Sequence, residues 1–363
     1  MSPTHRRARP ADGWDSTAPH VDSELRMPPY PSGSTLMRAA WYDRTGPAEE
    51  VLEVGELPAP EPGPGQVRVQ LAHSGITPSD AERRAGSGPH SIRFQRVIPG
   101  DDGAGTIDRV GPGVPTSRIG RRVWVHSASH SSRFGTCAEY VVLPDNQATD
   151  LPEGVPTEVG ACLGAPALTA HRSLFADGPI AGLTVLVTGS GRPVAHYTIQ
   201  MAKHAGALVI ATADTPEQRS AALTAGADLV VDQGHEDTVE RILDRAPLGI
   251  DRVVDIALDL NLPLTSRVVG PGATIAGYSA TAATGPILPF RTLLHSGVTI
   301  RAVMLHTMPT FARDRATADV TTLLERQILT HPIAAIYQID QIRQAHLDVE
   351  SGQPIGNILI AHN

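Results

Sequence analysis

The sequence predicts an α/β protein in which an antiparallel, β-rich part precedes a doubly wound parallel sheet. Between residues 37 and 150, short segments rich in Val and Ile alternate with Gly/Pro turns, as in the run from Pro58 to Gly65. This alternation is typical of antiparallel strands. After Pro152, strand-like and helix-like segments follow one another in turn. Such alternation indicates βαβ units and therefore a parallel sheet.

Composition excludes several classes of function. The 363-residue chain carries a net charge of −8, and only one of its 30 basic residues, Lys203, is a lysine. Without a basic run or face, the sequence gives no footprint for nucleic acid, and Schiff-base catalysis would depend on Lys203. Two cysteines, Cys137 and Cys162, are too few for a disulfide framework or a cysteine-rich zinc site.

No apolar run approaches the ~18–20 residues that span a bilayer, and the N-terminal arginines are not followed by the apolar segment of a secretory signal. We therefore expect a cytoplasmic protein that acts on a small molecule, with neither nucleic acid nor membrane as a partner.

The elements follow from hydrophobic periodicity along the chain. Residues 1–36 are rich in Pro, Ser, Arg and Asp without any period, which predicts a disordered extension. In the β-rich part, Met37 opens a strand pattern, and further strands are predicted at Gln66–Ala72, Gly105–Arg109, Arg122–His126 and Ala138–Val142. In the second part, helices are predicted at Glu158–Phe175, Val194–Ala205, Pro216–Ala225, Thr238–Ala246, Phe311–Leu329 and Ile339–Glu350. The strands between them are predicted at Thr184–Thr188, Leu208–Ala211, Leu229–Val231, Arg252–Ile256, Thr274–Ala276, Ala334–Gln338 and Gly356–Ala361.

A glycine-containing turn lies where a dinucleotide would bind. The run from Leu186 to Ala195 reads LVTGSGRPVA, after a predicted strand and at the start of a predicted helix. Free N–H groups at a helix N-terminus attract a pyrophosphate, and glycines let the backbone approach it. A second strand follows some way downstream, which strengthens the prediction of a nucleotide site.

From Met37 onward, the chain resembles the zinc-independent, quinone oxidoreductase-like branch of the medium-chain dehydrogenase/reductase superfamily. The resemblance is carried by the runs GITPSD (75–80), VIPGDDGAG (97–105), GTCAEY (135–140), GACLGAPALTAH (160–171) and IQMAK (199–203). It implies a GroES-like catalytic domain made of residues 37–160 and 306–363, and a Rossmann nucleotide-binding domain at 161–305. It also implies a homodimer, with the active site between the two domains.

The resemblance also implies that no metal is used. Zinc-dependent relatives place a Cys, a His and a Cys where this chain has Thr77, Asp101 and Ala165. These residues cannot rebuild a tetrahedral N/S site, and the four-cysteine structural lobe is missing as well.

The glycine turn departs from the family pattern Gly-Ala-x-Gly-Gly-Val-Gly. Arg192 and Pro193 replace its two central glycines. Pro193 is acceptable as the first residue of a helix. Arg192 either grips the phosphates of NADPH or fills the cleft so that no cofactor binds. The residues expected to bind the cofactor are Thr169, Gly189, Ser190, Gly191, Arg192, Val194, Ala195, Thr212 and Arg219. NADPH is favoured over NADH because Ala213 stands where NAD-binding proteins carry an acidic residue.

The remaining candidates are placed in the interdomain cleft by the resemblance. Adjacent Asp101 and Asp102 could share acid and base roles, or one could be solvated and the other paired with Arg83 or Arg84. The expected catalytic residues are Thr77, Ser79, Asp101, His126 and Tyr278, and the expected cleft residues are Tyr42, His130, Phe290 and His306.

Two functions remain open at this point. The first is NADPH-dependent reduction of a quinone or an activated enone, in which the cofactor supplies a hydride and solvent, Ser79 or Thr77 supplies the proton. The second is a cofactor-free isomerase, dehydratase, cyclase or epoxide-opening enzyme that uses Asp101 and a histidine as acid and base. A non-enzymatic role, as a ligand-sensing or partner-binding protein, is a third hypothesis.

Overall fold

The structure is a computed structural model that describes residues 35–87, 96–130, 132–281 and 285–362. The predicted N-terminal extension lies outside these residues except for positions 35 and 36, and Leu36 already belongs to the first strand. The described residues belong to one compact unit.

Fifteen strands are found among the described residues. They are β1 (Leu36–Trp41), β2 (Glu53–Pro58), β3 (Gln66–Ile76), β4 (Asp102–Val110), β5 (Arg122–Val125), β6 (Tyr140–Pro144), β7 (Ala148–Asp150), β8 (Thr184–Val187), β9 (Leu208–Ala213), β10 (Leu229–Asp232), β11 (Ile250–Asp255), β12 (Val269–Gly277), β13 (Thr299–Ala302), β14 (Ile333–Gln338) and β15 (Asn357–Ala361).

Eleven α-helices connect these strands within the same residues. They are α1 (Ala48–Val51), α2 (Pro78–Ala85), α3 (Thr157–Ala161), α4 (Gly164–Phe175), α5 (Pro193–His204), α6 (Pro216–Ala225), α7 (Thr238–Arg245), α8 (Leu258–Val268), α9 (Phe290–His295), α10 (Thr310–Glu325) and α11 (Ile342–Ser351).

The parallel sheet has the predicted doubly wound form. Its six strands lie in the order β10-β9-β8-β11-β12-β13, and every neighbouring pair is parallel. The central strand β8 reads TVLV and is buried at Val185, Leu186 and Val187, because helices cover both faces of a sheet of this kind. The order reverses between β8 and β11, and ligands of open α/β sheets bind at such a switch point, at the carboxyl ends of the strands.

The β-rich part forms a second sheet that the C-terminal residues complete. Its path is β14-β15-β3-β4-β5-β7, with β6 also paired to β3. Strand β15 pairs antiparallel with β3, so the last residues of the chain return to the first part. The predicted α/β class, with a GroES-like part beside a Rossmann-like parallel sheet, is therefore confirmed.

Some elements differ from the sequence prediction. The single helix predicted at Glu158–Phe175 is two helices, α3 and α4, which meet at Cys162 and Leu163. The strands β2, β7 and β13 and the helices α1, α2, α8 and α9 were not predicted from the sequence, because α8 contains an internal Pro263 and the others are short. Within the described residues, no helix is both long and apolar enough to cross a membrane.

Candidate active site

The glycine turn between β8 and α5 has the backbone that a phosphate-binding turn requires. Gly189 and Gly191 have φ angles of 74° and 88°, in the left-handed region. A Cβ on Gly189 would lie 2.6 Å from Cγ2 of Ile256, so a side chain at this position would collide with the loop after β11. Pro193 is the first residue of α5, where the N–H that it lacks would be unpaired in any case.

The turn also offers hydrogen-bonding groups that the described residues do not satisfy. The Ser190 hydroxyl is buried and has no partner among them. No side chain caps α5, so the N–H groups of its first turn are available, as at other anion-binding helix termini. These groups fit a pyrophosphate, and Val194 and Ala195 stand in that first turn as the sequence predicts.

Arg192 extends away from its own turn towards the C-terminal part. Its guanidinium lies where a Cβ on Gly352 would be, 2.1 Å from Nη2, at the end of α11. The backbone makes a second link, because Gly356 N donates to Gly191 O at 3.2 Å. Among the described residues, the Arg192 guanidinium has neither a carboxylate nor a hydrogen-bond partner. The guanidinium therefore lies near the end of α11 as an unpaired cation among the described residues.

A polar network that the sequence analysis missed lies beside this turn. Asp255 Oδ1 accepts from Thr188 Oγ1 at 3.1 Å and from Asn261 Nδ2 at 2.7 Å. Gln233 Nε2 donates to Asn261 Oδ1 at 2.5 Å, and Thr212 Oγ1 donates to Gln233 at 2.8 Å. Asp255 Oδ2 is buried without a partner among the described residues, and burial raises the pKa of this carboxyl. A carboxylate at the carboxyl end of a buried strand was the signal that could have revealed Asp255.

Thr169 and Arg219, two other predicted cofactor residues, lie in different environments. Thr169 is buried on α4. Arg219 on α6 donates to Val230 O at 2.7 Å and pairs with Asp232, so its guanidinium is engaged at the end of β10. A phosphate at this position would have to compete with Asp232 for Arg219.

Asp101 is the centre of a buried ion-pair group in the catalytic part. Ser129 donates to Oδ1 of Asp101 through both its N–H, at 2.9 Å, and its hydroxyl, at 2.7 Å. On Oδ2, Arg83 Nη2 donates at 3.2 Å, and His306 Nε2 lies 3.4 Å away. Burial alone would raise the pKa of Asp101, but His306 and Arg83 outweigh burial and hold the pKa well below its usual range. Asp101 is therefore the salt-bridged member of the aspartate pair, with Arg83 as its partner.

His306 lies between Asp101 and His130. The two imidazole rings stack with centroids 3.8 Å apart and planes inclined by 6°. His130 is exposed, whereas the His306 side chain is only 9% exposed. His306 Nδ1 is buried and has no hydrogen-bond partner within the described part of the chain. Two predicted cleft residues and one predicted catalytic residue thus come together.

Thr77 and Ser79 are connected to a different carboxylate. Thr77 Oγ1 donates to Asp80 Oδ2 at 2.7 Å and lies 2.8 Å from Ser79 Oγ. Asp80 also caps the loop before β4, because Gly100 N donates to its Oδ1 at 3.1 Å. Burial and the neighbouring charge of Asp101 raise the pKa of Asp80 to about 6. Asp80 was not among the predicted site residues.

Asp102 has a structural environment. Ala165 N donates to its Oδ2 at 2.7 Å, and a Cβ on Gly164 would lie 2.0 Å from its Oδ1. Burial, together with the charge of Asp101, raises the pKa of Asp102 well above the usual range. Contrary to the solvated alternative, both members of the aspartate pair are buried.

The remaining predicted residues are distributed around this group. Tyr42 is buried, which raises its pKa to about 12, although the charge of Arg83 lowers this pKa. The Tyr278 hydroxyl is buried without a partner among the described residues, and burial raises its pKa. Tyr278 packs on a hydrophobic cluster that includes Trp124, so residues from both parts of the protein meet there. Phe290, an expected cleft residue, is 67% exposed on α9 and lies outside this cluster.

No three His, Cys, Asp or Glu side chains of the described residues are arranged to hold a metal ion. Three positions carry zinc ligands in zinc-dependent relatives. In this chain they hold Thr77, Asp101 and Ala165. Thr77 donates to Asp80, and Asp101 accepts from Ser129.

Comparison with known proteins agrees with this geometry. A family model described as an alcohol dehydrogenase GroES-like domain matches residues 63–153, and one described as a zinc-binding dehydrogenase matches residues 193–321. The quinone oxidoreductase of Rattus norvegicus is 30% identical, over 67% of this chain and 73% of its own length. That of Sus scrofa is 27% identical, over 88% of this chain and 95% of its own length. A mycobacterial structure described as a complex with NADPH matches with a TM-score of 0.79 at 25% identity, over 90% of this chain and 99% of the other.

A GroES-like domain combined with a Rossmann-like parallel sheet, together with these relatives, defines an oxidoreductase. The chain belongs to the medium-chain dehydrogenase/reductase superfamily, in its quinone oxidoreductase-like branch.

Proposed function

We propose that this protein is a zinc-independent, NADPH-dependent reductase of a quinone or an activated enone. The observation that carries the proposal is the glycine turn, whose Ser190 hydroxyl and α5 N-terminus lack partners among the described residues, next to the unpaired Arg192. NADPH, when bound, would supply a hydride. Gly189, Ser190, Gly191 and the first turn of α5 would hold its pyrophosphate.

We assign the proton to the Asp101–His306 pair. Asp101 holds Nε2 of His306 and stabilises the positive charge of a protonated ring, which leaves Nδ1 to donate to the substrate. Thr77 and Ser79, the donors expected from the sequence, bond to each other and to Asp80 instead. His126 and Tyr278 remain candidates for orienting the substrate.

NADPH titration tests the proposal, and an Arg192 variant tests whether this residue binds the cofactor or blocks the site. We expect NADPH to bind at micromolar concentration, and Arg192→Gly to raise Kd by about 10- to 100-fold, which corresponds to charge-assisted hydrogen bonds of about 1.5–3 kcal/mol. Nicotinamide fluorescence and thermal unfolding measure both. Arg326→Gly, an exposed arginine that follows α10, is the matched control. A lower Kd in Arg192→Gly would instead show that Arg192 blocks the site.

The cofactor-free enzyme is the second candidate, and one observation favours it. Gly191 O is already bonded to Gly356, and Ile355 Cγ1 lies 3.5 Å from the position of a Cβ on Gly191, so the C-terminal segment lies against the turn. If millimolar NADPH changes neither fluorescence nor melting temperature, the reductase proposal fails and acid–base chemistry by Asp101 and His306 becomes the leading function.

A homodimer through the edge of the parallel sheet is proposed as well. Strand β13 pairs with β12 alone among the described strands, and the segment before it exposes Ile287, Phe290 and Leu294 by 96%, 67% and 62%. Exposed apolar side chains of this size beside a free strand edge mark an association surface. We expect light scattering to give twice the chain mass for the wild type and one chain mass for Phe290→Asp/Leu294→Asp. A monomeric wild type would contradict the proposal, and Leu248→Asp, on a separate exposed loop, is the control.

A cytoplasmic location accompanies the proposed activity. Cys137 and Cys162 are both free and buried, which is consistent with a reducing compartment.

A further inference from the structure

Several buried hydrogen-bonding groups have no partner among the described residues, and three of them surround His126. These three are Trp124 Nε1, His126 Nε2 itself and Arg313 Nε. The Trp124 and His126 rings lie 6.0 Å apart on β5 and the residue after it. The Arg313 guanidinium, on α10, is close enough to His126 for its charge to act on the ring. Leaving such groups unpaired costs about 1–3 kcal/mol each, so together they indicate a ligand or ordered water.

The charge of Arg313 is not neutralised by the protein. Within the described ranges, no carboxylate lies at ion-pair distance from Arg313, whereas Arg315 on the same helix has Asp319 at 3.6 Å. Asp101, whose charge also acts on His126, is already shared by Arg83 and His306. A partly buried cation thus lies near His126 without a carboxylate at ion-pair distance among the described residues.

The unpaired groups are donors. An indole N–H and a guanidinium N–H cannot accept hydrogen bonds. Burial and then the charge of Arg313 lower the pKa of His126 to about 4, so the ring is neutral at neutral pH. Its Nδ1 lies 3.3 Å from Ser127 Oγ and can accept from that hydroxyl, which would leave the ring hydrogen on Nε2. Donors combined with one net positive charge are complementary to an oxyanion, and the fork of an arginine matches a carboxylate.

We propose that Arg313, His126 and Trp124 form a carboxylate subsite, and that the substrate is a quinone or enone that bears a carboxylate group. The proposal rests on the proposed function for the reacting part of that substrate, but the subsite itself requires only binding. His306, which also acts on His126 electrostatically, would then stand near the bound carboxylate.

A pair of probes that cannot be reduced separates the subsite from the chemistry. Isothermal titration of the full chain with 2-naphthoate and with 2-naphthamide compares a carboxylate with a neutral group of nearly the same shape. We expect the wild type to bind 2-naphthoate about 10- to 100-fold more tightly, as charge-assisted hydrogen bonds predict. Arg313→Gln should remove this preference, and Arg313→Lys should keep part of it. Arg315→Gln is the matched control on the same helix and should leave the preference unchanged, and melting temperatures verify folding.

Each outcome bears on one proposal. Equal affinities for the two probes in the wild type would mean that water or a neutral carbonyl satisfies these donors, and would overturn the subsite. A preference that survives Arg313→Gln would also overturn it. A preference for 2-naphthoate in a protein that fails to bind NADPH would support the subsite and refute the reductase proposal.

Discussion

Replacing His306 with alanine is expected to lower kcat for NADPH-dependent reduction of 1,4-naphthoquinone by about 100-fold, the usual contribution of a positioned general acid. Asp101 Oδ2 lies 3.4 Å from Nε2 of this ring, so the side chain is held with Nδ1 available. KM should change by less than kcat, because the lost group acts on the proton and not on the ring of the substrate. The measurement is the rate of NADPH oxidation as a function of quinone concentration and pH.

Imidazole added to the His306→Ala protein gives a readout that a structural role would not move. If the side chain supplies the proton, imidazole should restore part of kcat, with a pH dependence that follows the added base. His235→Ala is the matched control, because His235 forms a comparable pair with Asp237, at 2.8 Å, on the protein surface. A full rate in His306→Ala, together with a large loss of rate in Thr77→Val, would instead identify the Thr77–Asp80 pair as the proton donor.

The sequence predicts the fold better than the site. The helices and strands follow from residues close together in the chain, whereas the site joins residues that are far apart in it. Strand β8 and helix α5 follow from local hydrophobic patterns and one glycine turn, and both were predicted to within one residue at each end. The pairing of Asp101 with His306 depends on how the segment before α10 packs near the start of β4, and no local pattern encodes it. The resemblance put both residues in the cleft but could not join them.

The direction of a long side chain could not be predicted from the sequence either. Arg192 was recognised from the sequence as the departure that decides cofactor binding, yet whether it turns towards its own helix or towards Gly352 depends on where α11 ends. Asp255 is a different case, since a carboxylate that ends a buried strand can be read from the sequence.

Acidification is expected to unfold this protein at a mild pH, because several buried histidines are held neutral. Burial lowers the pKa of His346 and of His362 to about 3, and that of His126 and of His331 to about 4. In the unfolded chain a histidine binds a proton below a pH of about 6.5. From there down to its folded pKa, each of the four favours unfolding by about 1.4 kcal/mol per pH unit.

Buried carboxyls oppose this trend. Burial raises the pKa of Asp80 to about 6, and it also raises the pKa of Asp102 and of Asp255. Where the folded state holds such a proton and the unfolded chain does not, acid stabilises the fold, until a pH of about 3.9. The net uptake on unfolding is the number of histidines held neutral less the number of carboxyls held protonated, and each net proton is worth about 1.4 kcal/mol per pH unit. Against a total stability of about 5–15 kcal/mol, each net proton should remove about 3 kcal/mol within about two pH units.

His346 allows the balance to be measured one proton at a time. The ring is fully buried beside Arg84, and neither nitrogen has a partner among the described residues. Urea unfolding of His346→Leu between pH 7.5 and 5 should therefore show a slope against pH that is smaller by one proton, about 1.4 kcal/mol per unit. At pH 7.5 the variant should match or exceed the wild type in stability, because leucine leaves no buried polar atom unpaired. His235→Leu, at an exposed position, is the control for the loss of a surface histidine. An unchanged slope in His346→Leu would mean that His346 is already protonated or hydrated in the folded protein.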